Sequence, residues 1–108
     1  MYVADAAAAF IACADGTPKG AHVFNLHGAA VEIAEIVRLI DSELPPNLRG
    51  LVTFGGPPIP VAPTMNDRAI RAAISNLSQT PLDAGIRDTI RRFSLLRDQR
   101  QLDTSDLE

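Results

Sequence analysis

Tryptophan is absent from this chain, tyrosine and lysine occur once each, as Tyr2 and Lys19, and aromatic residues make up 5% of its 108 positions. A core built on large rings is excluded, so burial has to come from Ile, Leu, Val and many alanines. So few rings also leave no series of platforms on which nucleic-acid bases could stack. Cysteine occurs once, at Cys13, which rules out an internal disulfide and fits a reducing compartment. No apolar run approaches the roughly 18 residues of a membrane span, and the Ala-rich opening is interrupted by Asp5 and Asp15 without a basic leader. A cytoplasmic chain is expected. The formal net charge of -3 argues against nucleic acid or an anionic membrane as the main partner, because phosphate binding depends on an excess of Lys and Arg.

What is present is an ordinary globular composition, 46% hydrophobic and 21% charged, which predicts one domain over residues 1–108. The stretch from Ala21 to Gly56 organises it. Ala21-His22-Val23-Phe24-Asn25-Leu26 carries β-branched and aromatic residues and ends at His27-Gly28, so it reads as a strand closed by a turn. Ile33, Ile36, Val37, Ile40 and Leu44 then form one stripe at helical spacing, with Glu32, Glu35, Arg38 and Glu43 largely off it. Pro45-Pro46 stops that helix. Gly50-Leu51-Val52-Thr53-Phe54 resumes an extended pattern until Gly55-Gly56. Two strands joined by a helix make a parallel pair with a right-handed crossover, so the predicted class is α/β, a short parallel strand pair with about four helices.

The remaining helices follow from periodicity and caps. Val3, Ala7, Phe10, Ile11 and Ala14 predict a first helix, with Asp5 near its positive end and Asp15-Gly16-Thr17-Pro18 as its stop. No strand or capped loop leads into it, which reads as a start in mid-domain. Gly55-Gly56-Pro57-Pro58-Ile59-Pro60-Val61-Ala62-Pro63 is an extended connector or a pocket wall, since its prolines remove the amides a phosphate nest needs. Thr64-Met65-Asn66-Asp67 offers caps for a helix with Ala69, Ile70, Ala73, Ile74 and Leu77 on one side. Thr80-Pro81-Leu82-Asp83 combines a cap, a proline at the first helical position and an acid three after the cap. The helix it opens has Leu82, Ile86, Ile90 and Phe93 as its stripe, continued by Leu95 or Leu96, with Gly85 admitting a close neighbour. Arg87, Arg91, Arg92, Arg97 and Arg100 give this helix a basic outer face, alternating with Asp83, Asp88 and Asp98 in the manner of a solvated surface. Residues 101–108 form an acidic tail expected to fray.

No catalytic or metal-binding constellation is legible. His22 and His27 lack Cys or carboxylate neighbours at ligand spacing, and Cys13 lies on an Ala-rich helix without a basic partner. A Gly-x-Ser-x-Gly elbow, a P-loop and a Gly-x-Gly-x-x-Gly turn are all missing.

The chain nevertheless resembles a known family. Tyr2-Val3-Ala4-Asp5-Ala6-Ala7-Ala8-Ala9-Phe10 is similar to the Val-x-Asp-x-Ala helix of the extended short-chain dehydrogenase/reductases, the NAD-dependent epimerase/dehydratase group that includes nucleoside-diphosphate-sugar epimerases. Val23-Phe24-Asn25-Leu26-His27-Gly28 resembles that family's Tyr-Asn-Ile-Gly strand. Thr80-Pro81-Leu82-Asp83-Ala84-Gly85-Ile86-Arg87-Asp88-Thr89-Ile90 resembles its closing Thr-Pro-Leu-x-x-Gly-Ile-x-x-Thr helix. The three stand in the family's order and span most of the chain. The family's Tyr-x-x-x-Lys pair and Gly-rich cofactor unit have no counterpart here. The resemblance therefore implies the C-terminal, substrate-binding portion of a Rossmann-type enzyme, inactive alone, with NAD(P) held elsewhere in a full-length parent. A sugar, sugar acid or nucleotide sugar is the implied substrate. Tyr2 matches a position beside the family's active site, and the irregular loop adds Phe54, Gly55, Gly56, Pro58 and Ile59 as candidate substrate contacts. The competing class is a self-standing module that oligomerises through open edges, and a weaker one binds nucleic acid through the Arg87 to Arg100 face.

Overall fold

The computed structural model of the protein describes residues 1–16, 19–58, 60, 62, 64–103 and 105. Among the described residues four α-helices follow one another: α1 (Val3–Gly16), α2 (Ile33–Glu43), α3 (Arg68–Ala73) and α4 (Leu82–Asp98), with a 3-10 turn at Pro46–Leu48. No strand occurs among the described residues. The expected α/β class and its parallel pair are thereby overturned. The chain packs as two compact units, one of Met1–Val31 and Gly55–Leu82, the other of Glu32–Phe54 and Asp83–Glu108. The two expected strands fall one in each unit.

Their failure has a local reason. Extended backbone becomes a strand only when a neighbour supplies a ladder of hydrogen bonds, and side-chain preference for the extended state does not provide one. Ala21–Leu26 keeps the alternation of a strand, Phe24 and Leu26 half-buried, Val23 and Asn25 exposed. Among the described residues its hydrogen bonds to the rest of the first unit are two long side-chain ones, Asn25 Nδ2 donating to the Asn66 carbonyl and His22 Nε2 to the Lys19 carbonyl, each at 3.4 Å. Leu51–Phe54 is exposed along its whole length.

In the first unit, α1 forms where it was expected and turns an unexpected face inward. Asp5 and Ala9 are buried, whereas Val3, Phe10 and Ile11 are exposed. The backbone amides of Asp5 and Ala6 donate to the Tyr2 carbonyl at 3.1 and 3.3 Å, which opens the helix. α3 is a short helix that stops at Ile74, whose backbone is extended, and it buries Ile70 and Ile74. Asn66 Oδ1 accepts the Arg68 amide ahead of it, and Asp67 takes the Arg71 guanidinium at 2.7 Å one turn on. Gly28 lies close under the first residue: a Cβ there would stand 3.0 Å from the Met1 nitrogen, so only glycine fits without a shift.

In the second unit, α2 uses the stripe read from its spacing except at its first member, Ile33, which is exposed. Ile36, Val37 and Ile40 are half-buried, as is Leu44 beyond its end. Leu44 has φ -82° and ψ 147°, the extended conformation that a following proline imposes, and the helix stops there. Gly50, at φ 77°, turns the chain after the 3-10 turn, and its amide donates to Asp41 Oδ1 at 3.1 Å, tying the turn back to α2. Gly85 is buried in α4, while Phe93, Leu95 and Leu96 at the far end are exposed. Burial therefore fades along the helix.

Glu35 accepts Arg38 Nε at 2.8 Å and Nη2 at 2.6 Å, and these hydrogen bonds hold its carboxyl below the ordinary glutamate range. Because the folded value is the lower one, the pair's contribution is complete above the ordinary range and lost as pH falls through the depressed value. Both groups are solvated, so that contribution is small. An NMR titration of the Glu35 carboxyl should show a midpoint below that of an unpaired glutamate, and Arg38→Gln should return it. A midpoint indifferent to Arg38→Gln would mean that the pair does not form in solution.

Candidate binding cleft

The first unit contains a cleft of about 360 Å³. α1 contributes Phe10 and Cys13, the extended run contributes His22, Phe24 and Leu26, and α3 closes it with Ile70. Helical spacing sets Phe10 and Cys13 on adjoining turns of one side, while period-two alternation aims Phe24 and Leu26 the same way. The His22 and Phe24 rings are nearly parallel, 8° apart in plane with centroids 5.9 Å apart, and form one plate of the wall. His22 Nε2 donates weakly to the Lys19 carbonyl at 3.4 Å. The lining is apolar, with an imidazole and a thiol as its polar groups. Clefts of this size and character accept small, partly apolar molecules.

The first unit also holds the one buried charge among the described residues. Asp5 is 7% exposed, and its two carboxylate oxygens accept the Thr80 amide at 2.7 Å and the Thr80 hydroxyl at 2.8 Å. Sequence reading placed Asp5 at a helix end for its charge and Thr80 ahead of α4 as a cap. The acid that receives the Thr80 amide is Asp5, 75 residues earlier. A buried carboxylate with both oxygens engaged by charge-assisted bonds fixes α1 against the segment that leads into α4.

The candidate substrate contacts lie elsewhere. Tyr2 is half-buried at the start of α1; Phe54, Gly55, Gly56 and Pro58 are exposed, and Ile59 lies outside the described residues. Phe54 belongs to the second unit and the other described positions to the first. None of the five described positions lines the cleft. Sequence reasoning passed over the cleft because its signal, a thiol and an imidazole among apolar residues on three separate segments, has no spacing to detect. Among the described residues no cluster of His, Cys, Asp and Glu could hold a metal ion, and no helix is long and apolar enough to cross a membrane. No family model, curated protein or solved structure matches the chain.

The arginine face of α4 is accompanied by carboxylates. Arg87 binds Glu43 with contacts of 2.9 to 3.1 Å, Arg91 and Arg92 share Asp88 at 2.6 Å, and Arg97 meets Asp98 at 3.0 Å. The Glu43 hydrogen bonds raise the Arg87 pKa further above its ordinary value. Guanidinium groups so neutralised offer a polyanion little net attraction.

Proposed function

We propose that the chain is the substrate-binding portion of an epimerase/dehydratase-like oxidoreductase acting on a sugar, sugar acid or nucleotide sugar, and that NAD(P) is held by a companion part of the enzyme. The observation that carries this reading is the Asp5–Thr80 pair, because it joins the first of the three resembling segments to the last through the aspartate and threonine that define them. Tyr2, immediately before that helix, and the open loop from Phe54 to Pro58 are the substrate contacts in this reading. Equilibrium dialysis of the full chain against labelled NAD+, a uridine diphosphate sugar and a uronic acid tests it. The expected result is no retained NAD+ and one sugar ligand held with a Kd of about a millimolar, weakened severalfold by Tyr2→Ala. Retention of NAD+, or of no sugar, or of a sugar indifferent to Tyr2→Ala, overturns the reading.

A second reading, an oligomerising interaction module, has an observation of its own. Phe10, Ile11, Val23, Leu51 and Phe54 are each more than half exposed, and the buried apolar residues described are Ala9, Ile70 and Ile74. Phe10, Ile11 and Val23 belong to the first unit and Leu51 and Phe54 to the second, so each unit carries exposed apolar groups that a partner would cover.

A further inference from the structure

We propose that Leu51–Phe54 is a self-pairing segment, through which two copies of this chain join by laying their extended backbones antiparallel. The proposal rests on the interaction-module reading and names its surface. Leu-Val-Thr-Phe is the sequence of a strand, and it lies outside any helix or turn with Leu51 71% and Phe54 58% exposed. Among the described residues, no backbone amide or carbonyl from Leu51 to Phe54 has a hydrogen-bond partner. Such a row of unmet donors and acceptors is a template for another strand.

The usual protections of an exposed edge are missing. From Gly50 to Gly56 there is neither a charged side chain nor a proline, although those are the residues that keep exposed edges from pairing. The flanks are open as well, since a Cβ at Gly50, Gly55 or Gly56 would meet no atom within 4 Å. A second backbone can therefore approach without displacing anything at these positions.

Charge and side-chain pattern choose the occupant and its direction. In a parallel in-register pair the two Arg49 side chains would stand together, whereas the antiparallel register centred on Thr53 sets Arg49 across from the neutral Pro57 of the second copy. Val52 and Phe54 lie on one side of the strand and Leu51 and Thr53 on the other. An antiparallel copy then puts Phe54 beside the other copy's Val52, an aromatic against a β-branched residue, which is a favourable cross-strand combination. The ladder is between molecules, and each chain's own fold stays helical.

Sedimentation equilibrium of the full chain from about 1 to about 300 μM tests the proposal. The unmutated chain should dimerise reversibly. Successive amides point to opposite edges, so one of Val52→Pro and Thr53→Pro must remove a ladder donor, and that variant should raise the dimer Kd by about tenfold or more. Because neither amide serves the chain's own fold, the far-ultraviolet dichroism of both variants should be unchanged. Amide exchange at Leu51–Phe54 in the unmutated chain, which needs no variant to fold, should slow as concentration rises. A dimer equally strong in both proline variants, or exchange independent of concentration, overturns the pairing and leaves self-association to another surface. A monomer throughout overturns the pairing and the interaction-module reading together, and leaves the sugar-binding reading standing.

Discussion

Asp5→Ala is expected to destabilise the first unit by about 3 kcal/mol. The carboxylate is 7% exposed and receives both Thr80 donors at 2.7 and 2.8 Å, so its removal strands an amide and a hydroxyl together. The hydroxyl can rotate toward water; the amide cannot. Asp5→Asn should be milder, about 1 kcal/mol, because the new amide oxygen can accept the Thr80 amide while its nitrogen donates to Thr80 Oγ1. Thr80→Val, which keeps shape and loses only the hydroxyl bond, should also cost about 1 kcal/mol. The double mutant Asp5→Ala/Thr80→Val should fall short of the sum by about 1 kcal/mol, as expected when both changes remove one shared interaction. Urea unfolding followed by tyrosine fluorescence reads these values, since Tyr2 is the sole tyrosine, tryptophan is absent and Tyr2 belongs to the first unit. An unchanged midpoint in Asp5→Ala would mean that the carboxylate does not hold Thr80 in solution.

That pair also marks where the sequence stops being readable. Helix positions were legible where the boundary is local chemistry, since Pro45 forces Leu44 out of the helix and Pro81 fixes the chain just before Leu82, but α3 ends at Ala73, short of the Leu77 that its spacing reaches. Which face of a helix is buried was legible for α2, whose Ile36, Val37 and Ile40 are half-buried. It was not legible for α1. Spacing selects the face with the largest side chains, Val3, Phe10 and Ile11, but a buried face is chosen jointly with what packs on it. There the partner is Thr80, whose donors reward an acid, so Asp5 and Ala9 turn inward. The strands failed for the same kind of reason. Extended preference is local to Ala21–Leu26 and Leu51–Phe54, while a ladder needs a neighbour that no local pattern guarantees. The cleft went unseen because Cys13, His22 and Ile70 meet only once the chain has folded.

Ile70→Ala should lower the stability of the first unit by about 3 kcal/mol, and Phe10→Ala by no more than about 0.5 kcal/mol. The contrast runs against size, since phenylalanine carries the larger apolar surface. It follows from position: Ile70 is 3% exposed beside Ala9 and Ile74, while Phe10 is 76% exposed. Truncating Ile70 leaves a cavity that its neighbours, one of them only an alanine, are too small to fill, whereas truncating Phe10 removes a side chain that already stands mostly in water. Both residues line the cleft, so lost lining is common to the two variants and cannot produce the difference. The same tyrosine-monitored urea titration measures both. If the order were reversed, Phe10 would have to be the buried residue, α1 would present the face that its spacing selects, and Asp5 would be turned away from Thr80. Ile70→Ala and Phe10→Ala thus decide, without reference to Asp5 itself, which side of α1 the fold uses.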